Sequence, residues 1–331
     1  MDNDKKNLAL LQSMQKVKEQ ILTELHKVII GQDEVIEQIL IALFSNGHCL
    51  IEGVPGLAKT LMISSLAKIL DLKFTRIQFT PDLMPSDITG TEILVDNRES
   101  GQREFKFIKG PVFSNFILAD EINRTPPKTQ SALLQAMQEF EVTAGNETYK
   151  LDPPFIVLAT QNPIEQEGTY PLPEAQLDRF MFHIIINYPD FKEEKLIVKQ
   201  TSIRNNVNLV PVINKETILN IQKAINDIPV NDHVIEFAVR LVRATRPNES
   251  DSMNHISEKI NWGAGPRASQ YLVIAAKTRA ILNGRLTPAE DDIIAVSNIV
   301  LRHRILVSYA AESEGLKSTD IVKEIIKNSK W

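Results

Sequence analysis

The sequence is poor in cysteine and in aromatic residues. Of its 331 residues one is a cysteine, Cys49, and aromatic side chains make up 6%. A single cysteine cannot close an internal disulfide, which excludes the disulfide-stabilised class and favours a reducing, cytoplasmic compartment. No apolar run approaches the roughly 18 residues that a membrane-spanning helix needs, and the amino terminus is polar. We therefore expect a cytoplasmic protein without a membrane span.

A strong excess of charge is also missing. The chain carries 37 Lys+Arg against 42 Asp+Glu, a formal net charge of -5. Residues 1–190 hold 17 basic and 26 acidic residues, whereas residues 191–331 hold 20 and 16. Because binding to nucleic-acid phosphates needs clustered Lys and Arg, the acidic first part disfavours a nucleic-acid partner. A hydrophobic content of 43% is typical of a folded globular protein and excludes disorder.

Short runs that favour β-strands occur only before Pro189, where they alternate with helical stretches. They cover residues 48–52, 73–79, 116–120, 155–160 and 181–187. This alternation predicts parallel strands joined by helical crossovers, and the consecutive apolar positions predict strands that are buried on both faces. After Pro189 helical periodicity dominates, for example over residues 293–307. The fold class is therefore α/β, followed by a mostly helical region.

We expect three parts in the chain. An amphipathic helix occupies residues 1–30, an α/β core residues 31–190, and a linker helix with an all-α domain residues 191–331. Two β-hairpins are predicted as inserts in the core. Their strands cover residues 92–95 and 104–108 in the first, and residues 141–143 and 148–151 around the turn pair Gly145-Asn146 in the second.

A glycine-containing turn lies between the first predicted strand and a helix that begins at Leu61. Its residues are Gly53, Val54, Pro55, Gly56, Leu57, Ala58, Lys59 and Thr60. In a phosphate-binding loop, backbone N–H groups and the helix N-terminus face a phosphate, the lysine reaches the outer phosphates and the threonine hydroxyl binds Mg²⁺. Ala58 replaces a usual glycine and is tolerable if it already lies in the first helical turn. Taken alone, the motif also fits an ordinary Gly/Pro turn.

Two further predicted strands end in polar side chains. Asp120 and Glu121 end one of them, and Asn162 follows the other. Open α/β sheets bind ligands at the carboxyl ends of their strands, so we expect these side chains to meet Lys59. Asp120 is suited to hold Mg²⁺ through water, Glu121 to orient or deprotonate an attacking water, and Asn162 to hold that water or a γ-phosphate. Together they predict phosphoryl transfer, which we interpret as hydrolysis.

Two arginines stand in loops of the predicted fold. Arg179 lies just before the fifth strand, and Arg267 lies at the start of a helix in the second region. Loop arginines most often form surface ion pairs. A phosphoryl transition state is also stabilised by such a cation, which a neighbouring subunit often supplies. Both interpretations stay open from the residues alone.

In this order, these motifs resemble those of the MoxR family of AAA+ ATPases. The segments are IGQDE at 30–34, GVPGLAKT at 53–60, GPVF at 110–113, ADEINRTPPKTQ at 119–130, ATQNP at 159–163, LDRF at 177–180 and WGAGPRA at 262–268. They extend over essentially the whole chain, and family members share the alanine before the lysine. The resemblance implies a P-loop AAA+ αβα core with a parallel five-stranded sheet and a smaller all-α lid domain.

The resemblance also implies roles for individual residues. Residues 53–60 match the Walker A loop, followed by Leu61, and Asp120 with Glu121 matches the Walker B pair. Asn162 matches sensor 1, Arg179 the arginine finger and Arg267 sensor 2. The stretch with Val28, Ile29 and Gly31 matches the segment that brackets adenine. The two hairpins match inserts that line the central pore in related machines.

By the same resemblance, the expected cofactors are ATP and Mg²⁺, and the expected assembly is a homo-oligomer in the form of a hexameric ring. The expected activity is ATP hydrolysis that drives chaperone-like remodelling or maturation of a protein client. A protein with a von Willebrand factor A domain is the expected partner. Two alternatives stay open: a motor that remodels nucleic acid, and a chelatase-type or nucleotide-switch subunit. The intact Glu121 argues against a pure switch.

Three side chains keep two interpretations each. Arg124 either contacts a neighbouring subunit or caps its own helix. Phe105 and Phe107 alternate on a predicted hairpin strand, where they either grip a substrate in a pore or are buried against the domain. For both phenylalanines we expect burial.

Overall fold

The structure is a computed structural model that describes residues 2–96, 103–145, 147–164, 168–201, 207–247, 249 and 251–328. Its strands are β1 (Cys49–Glu52), β2 (Phe74–Gln78), β3 (Gly90–Asp96), β4 (Arg103–Lys109), β5 (Phe116–Asp120), β6 (Glu141–Ala144), β7 (Glu147–Lys150), β8 (Ile156–Gln161), β9 (Phe182–Ile185), β10 (Ile260–Trp262) and β11 (Leu306–Val307). A short 3₁₀ turn, Ile122–Arg124, follows β5.

Fourteen helices are present in these described residues. They are α1 (Asp2–Leu25), α2 (Asp33–Phe44), α3 (Lys59–Ile69), α4 (Pro85–Thr89), α5 (Pro127–Glu139), α6 (Glu174–Leu177), α7 (Phe191–Thr201), α8 (Lys215–Asn226), α9 (Asp232–Arg243), α10 (Asn254–Ser257), α11 (Pro266–Leu282), α12 (Glu290–Leu301), α13 (Tyr309–Ser313) and α14 (Ser318–Asn328). Of the helices described, none is both long and apolar enough to cross a membrane.

The five predicted strands of the core form one parallel sheet, in the order β2-β5-β8-β1-β9. Residues on β5 and β8 are almost completely buried because helices cover both faces. The register aligns Gln78 with Asp120 and Glu52 with Gln161, so the carboxyl ends of neighbouring strands are level. The sequence-based expectation of a doubly covered parallel sheet is confirmed.

Both predicted hairpins are present, as β3–β4 and β6–β7, and they pack against each other. Residues 97–102 and Asn146, on which the predicted turns fall, lie outside the described residues. Phe107 stacks on Tyr149 with ring centroids 4.3 Å apart, whereas Phe105 is 75% exposed. Phe107 is therefore half-buried, which agrees in part with the expected burial, whereas that expectation is wrong for Phe105. Phe105 lies two residues before Phe107 on β4, and the ring that Tyr149 stacks on is that of Phe107.

The helical region contains one feature that the sequence pattern did not predict. The periodic stretch at 293–307 is not one helix, because α12 ends at Leu301 and the chain then turns to form β11. Strand β11 pairs antiparallel with β10, with Leu306 opposite Trp262. The expectation that no strand follows Pro189 is therefore wrong. Strands of two and three residues are too short to give a detectable alternation.

Helix α1 packs against α3 in the α/β part and against α8 and α11 in the helical part. Its Leu11, Met14, Ile21 and Leu25 are buried and recur at intervals of three, seven and four residues, which is the spacing of one helix face. This helix therefore joins the two parts through a shared apolar core.

Candidate nucleotide site

The loop of residues 53–60 leaves β1 at the carboxyl edge of the sheet and leads into α3. Gly56 has a φ of +87°, and a Cβ atom built on it would meet nothing within 4 Å. The backbone therefore curves around open space, as a phosphate cradle requires. Val54 and Pro55 form the part of the loop before this curve, and Pro55 is exposed.

Ala58 does not lie in the first helical turn as we expected. Its φ of 54° and ψ of 24° are left-handed, and the residue caps α3 from outside the helix. A left-handed conformation costs an alanine about 1 kcal/mol, since Cβ approaches the following carbonyl oxygen. The sequence-based expectation is wrong here because the loop must reverse its direction just before Lys59.

An apolar cavity of about 460 Å³ opens beside the loop. Its lining includes Val28, Ile29, Ile30, Gln32, Gly56, Leu57, Ala58 and Leu61, together with Ile186 just after β9 and residues of α7. Gly31 is not in the lining. It has a φ of +68°, and the Glu193 side chain occupies the space that a Cβ would need. The size and apolar character of the cavity suit a flat aromatic base.

Lys59 lies between the loop and the two carboxylates at the end of β5. Its Nζ donates to the carbonyl oxygen of Gly53 at 2.5 Å. Burial lowers the pKa of Lys59, and the charges of Asp120 and Glu121 partly oppose that shift. Lys59, Asp120 and Glu121 therefore lie close enough for their charges to interact.

Both acidic residues have protein partners in the structure. Asp120 accepts a hydrogen bond from the Thr160 hydroxyl on Oδ1 at 2.6 Å, and Arg76 donates to Oδ2. The same Thr160 hydroxyl accepts from the Glu121 backbone N–H at 2.8 Å. Arg124 donates to Glu121 Oε2 at 3.0 Å, so its guanidinium lies on this carboxylate.

Asn162 follows β8 and lies at the same sheet edge. Its side chain is 7% exposed, and its Oδ1 accepts from the backbone N–H of Ile164 at 3.1 Å. Within the described chain, the buried Nδ2 has no hydrogen-bond partner. A buried amide donor without an acceptor is costly, so this group fits a site that an oxygen of a ligand completes.

The donor set at this edge fits Mg²⁺. Thr60 supplies a hydroxyl and Asp120 a carboxylate, and both are oxygen donors of the hard type that Mg²⁺ prefers. The part of the chain that the structure describes contains no cluster of three or more His, Cys, Asp or Glu placed to hold a metal. A cage of this kind is not required, because Mg²⁺ bound with phosphates uses one or two protein ligands.

Arg179 and Arg267 lie at the opposite, amino edge of the sheet. Arg267 donates to Asp178 Oδ2 at 3.2 Å, and both Asp178 and Arg179 precede β9. Because β9 runs parallel to β1, the length of a strand separates these residues from the loop, roughly 13 Å for four residues. The structure therefore brings Lys59 and the predicted polar groups together, but it does not bring the two arginines to them.

Several residues near these edges were not found from the sequence. At the carboxyl edge they are Arg76, Gln78 and Thr160, and at the amino edge Asp178 and Arg304. The only sequence signal for Arg76 and Gln78 is that they alternate at the end of a predicted strand. Arg304 carried no signal, because it lay inside the stretch that we assigned to one long helix.

The fold and the site together define a class. A parallel sheet of order β2-β5-β8-β1-β9, a phosphate-binding loop after β1, acids after β5 and a helical lid are the features of an AAA+ P-loop ATPase. The model of the ATPase family associated with various cellular activities (AAA) matches residues 48–182, and that of the AAA lid domain matches residues 253–325.

Individual relatives narrow the class. Chaperone MoxR1 of Mycobacterium tuberculosis is 42% identical over 93% of this chain and 81% of its own length. Protein MoxR of Methylorubrum extorquens is 30% identical, with 92% and 91% covered. The crystal structure of a proposed ATPase from Cytophaga hutchinsonii superposes with a TM-score of 0.88 at 43% identity, covering 98% of both chains. The chain belongs to the MoxR family of AAA+ ATPases.

Proposed function

We propose that this ATPase binds ATP with Mg²⁺ at the carboxyl edge of its sheet and uses hydrolysis to remodel or mature a protein client. The observation that carries the proposal is the buried Nδ2 of Asn162, which has no hydrogen-bond partner among the described residues and lies at the same edge as Lys59, Asp120 and Glu121. The adjoining apolar cavity supplies the base-binding part of the site.

The chemistry follows from the groups in place. Lys59 exchanges the Gly53 carbonyl for the outer phosphates, and backbone N–H groups of residues 53–60 hold the phosphate chain. Glu121 orients and deprotonates the attacking water, and Asn162 donates to that water or to the γ-phosphate. Thr60 and Asp120 would hold Mg²⁺, which when bound neutralises phosphate charge. Val28, Ile29 and Leu61 pack against the base.

We assign Arg179 and Arg267 to the nucleotide of a neighbouring copy. Arg179 precedes β9, and Arg267 contacts Asp178 beside it, so both lie at the amino edge, far from the phosphate-binding loop of their own subunit. A ring of identical subunits can place this edge against the carboxyl edge of the next subunit. Within the described residues, the guanidinium of Arg179 has neither an ion pair nor a hydrogen bond. It is therefore available to stabilise a transition state in trans, as an arginine finger does.

Mixing two inactive variants tests this assignment. Lys59→Ala removes the phosphate contact and Arg179→Ala the finger, so each alone should lose ATP hydrolysis. Mixed subunits should regain part of the activity, because some interfaces then combine an intact loop with an intact finger. The matched control mixes Lys59→Ala with Glu121→Gln, which damage the same edge and should not complement. If the first mixture stays as inactive as the control, Arg179 does not act in trans.

A hexameric ring, a client and a von Willebrand factor A-domain partner complete the proposal. Their support is the family membership and the name of the relative Chaperone MoxR1. Mass measurement in solution with and without ATP tests the ring, with a hexamer expected in ATP and any other size counting against it. A pull-down with Glu121→Gln, which should bind ATP without hydrolysing it, tests whether a protein with that domain is retained.

The division into residues 1–30, 31–190 and 191–331 and the cytoplasmic location remain predictions. Helix α1 packs on both larger parts, so we propose that it fastens the core to the lid. Truncation of the helix should lower the melting temperature of the whole chain in one transition. Two separate unfolding transitions, of which only one shifts in melting temperature after truncation, would contradict that role. Fractionation of cells tests the location.

The alternative of a nucleic-acid motor has less support. Arg240, Arg243 and Arg246 form a basic stripe on and after α9, and each of these arginines pairs with an acidic residue of its own chain. Paired arginines contribute little to the binding of phosphate. DNA that stimulated hydrolysis in a salt-dependent way would restore this alternative. A pure nucleotide switch would show no turnover in the purified protein.

A further inference from the structure

Arg76 forms a two-point contact with Asp120 and lies outside the motif segments described above. Its Nε and Nη2 donate to the same carboxylate oxygen, Asp120 Oδ2, at 3.0 and 2.7 Å. The other oxygen of Asp120 accepts from the Thr160 hydroxyl. Among the described residues, these two side chains make every hydrogen bond to this carboxylate, and Arg76 is the cation bonded to it.

The contact extends to the second acidic residue through Gln78. Nη2 of Arg76 also donates to Gln78 Oε1 at 2.5 Å, and Gln78 Nε2 donates to Glu121 Oε2 at 3.2 Å. Arg76 orients the Gln78 amide, because its oxygen faces the guanidinium and its nitrogen then faces Glu121. One chain of hydrogen bonds thus links the two carboxylates.

The geometry of β2 explains why these two side chains can reach the site. Residues 76 and 78 are alternate positions of one strand, so their side chains share a face. Strand β2 pairs in parallel with β5, with Gln78 directly opposite Asp120. Strand β2 is also the edge strand of the sheet, which leaves the Arg76 side chain 47% exposed and able to turn toward solvent.

We propose that Arg76 holds Asp120 in place of the divalent cation while the site is empty, and that Mg²⁺ displaces it when nucleotide binds. The guanidinium of Arg76 repels a divalent cation and occupies the Asp120 oxygen that could accept from a Mg²⁺-bound water, since Thr160 occupies the other oxygen. When Arg76 leaves, Gln78 loses the group that orients it and its contact with Glu121 weakens, while Arg124 still donates to the same Glu121 oxygen. Arg76 is a positioning residue, and its role rests on the proposed function because that function makes Asp120 the Mg²⁺ ligand.

The test is a Mg²⁺ titration of nucleotide binding, which does not depend on turnover. A fluorescent ADP analogue is added to the full chain at a fixed low concentration, and the Mg²⁺ concentration for half-maximal binding is measured. Arg76→Met, which keeps the length of the side chain without its charge, should lower this midpoint by about threefold, the strength of a partly exposed ion pair. Arg76→Lys restores the charge and should bring the midpoint back toward that of the unmodified chain.

The matched control is Arg103→Met, which removes an exposed Arg–Asp pair, Arg103–Asp96, from a hairpin away from the site. It should leave the midpoint unchanged. An unchanged or raised midpoint in a folded Arg76→Met protein would overturn the proposal. Asp120→Asn separates this failure from that of the proposed function. If Asp120→Asn does not raise the midpoint, the assignment of Asp120 to Mg²⁺ is itself wrong.

Discussion

The two edges of the central sheet are built in different ways. At the carboxyl edge, Lys59 donates to a carbonyl of its own loop, and the buried amide nitrogen of Asn162 has no partner in the part of the chain that the structure describes. At the amino edge, the guanidinium of Arg304 is nearly fully buried and donates to Asp178 and to the carbonyls of Phe180, Met181 and Val300. Lys59 and Asn162 at the carboxyl edge can therefore exchange partners. Arg304 and Asp178 at the amino edge are instead held by several internal bonds.

This difference indicates separate tasks for the edges. A group that must bind and release phosphate cannot be held by strong internal contacts, because each would have to be broken in every cycle. A segment that presents an arginine to a neighbour has the opposite need. Asp178, next to Arg179, is held by Arg304 and Arg267, which leaves Arg179 as the arginine of this segment without an ion pair among the described residues.

The largest effect should come from removing the finger itself. Arg179→Ala should lower the turnover of ATP by about 1,000-fold, or about 4 kcal/mol, because the transition state loses its cation. Steady-state hydrolysis at saturating ATP measures it. The control is Arg240→Ala, which removes an arginine of α9 that lies 4.0 Å from Glu236. This variant should leave turnover near that of the unmodified chain. Equal turnover for both variants would mean that the amino edge has no part in the chemistry.

The second effect concerns the rigidity of the amino edge. Arg304→Met should lower the free energy of unfolding by about 3 kcal/mol, since it leaves buried carbonyl oxygens without donors and removes one cation from Asp178. Denaturant unfolding measures the change. Arg302→Met, at a neighbouring arginine that is less deeply buried, should cost clearly less. A loss that is the same for both would show that Arg304 is not a special anchor.

The third effect is a pH dependence of the free energy of unfolding, which originates at the amino edge. His48 lies just before β1, donates from Nε2 to the carbonyl of Met137 and accepts on Nδ1 from the N–H of Val157. Burial lowers its pKa to about 4. Between pH 6.5 and 4 the unfolded chain therefore binds a proton that the folded chain does not, and stability falls as the pH is lowered, by no more than about 3 kcal/mol.

Denaturant unfolding of the nucleotide-free chain at pH 7, 6 and 5 measures this dependence. His48→Gln keeps a neutral donor and acceptor at every pH, so its stability should fall less steeply over the same range. His303, whose pKa is also lowered mainly by desolvation, contributes in the same direction and is present in both proteins. Identical slopes for the two proteins would exclude His48 as a source of the dependence.

The smallest effect is expected at the carboxyl edge. Ala58→Gly should stabilise the chain by up to about 1 kcal/mol, because glycine adopts the left-handed conformation without strain. The higher conformational entropy of glycine in the unfolded chain offsets part of this stabilisation. Thermal and denaturant unfolding measure it. Ala67→Gly, in the right-handed interior of α3, should instead destabilise by a similar amount. Destabilisation by both changes would show that the loop is not strained.

Much of the α/β core could be predicted from the sequence. The five strands and the motif residues after β1, β5 and β8 appear where the pattern placed them, because strand burial and loop chemistry are recorded in neighbouring residues. Predictions that depended on contacts beyond the local pattern were wrong. The helix expected through Val307 ends at Leu301, since Arg304 turns inward to Asp178. Phe105 is exposed because Tyr149 covers only Phe107.

The sequence by itself determined the class of chemistry in this protein: a phosphate-binding loop, a pair of acids and an amide, each at the end of a strand. Only the tertiary structure decided which groups touch. The Arg76–Asp120 contact joins residues 44 positions apart, and the Arg304–Asp178 contact joins residues 126 apart. A local pattern cannot encode such pairs, because their distance depends on strand order and on how the lid docks. Strand order and the docking of the lid also decide that Arg179 and Arg267 lie at the sheet edge opposite Lys59.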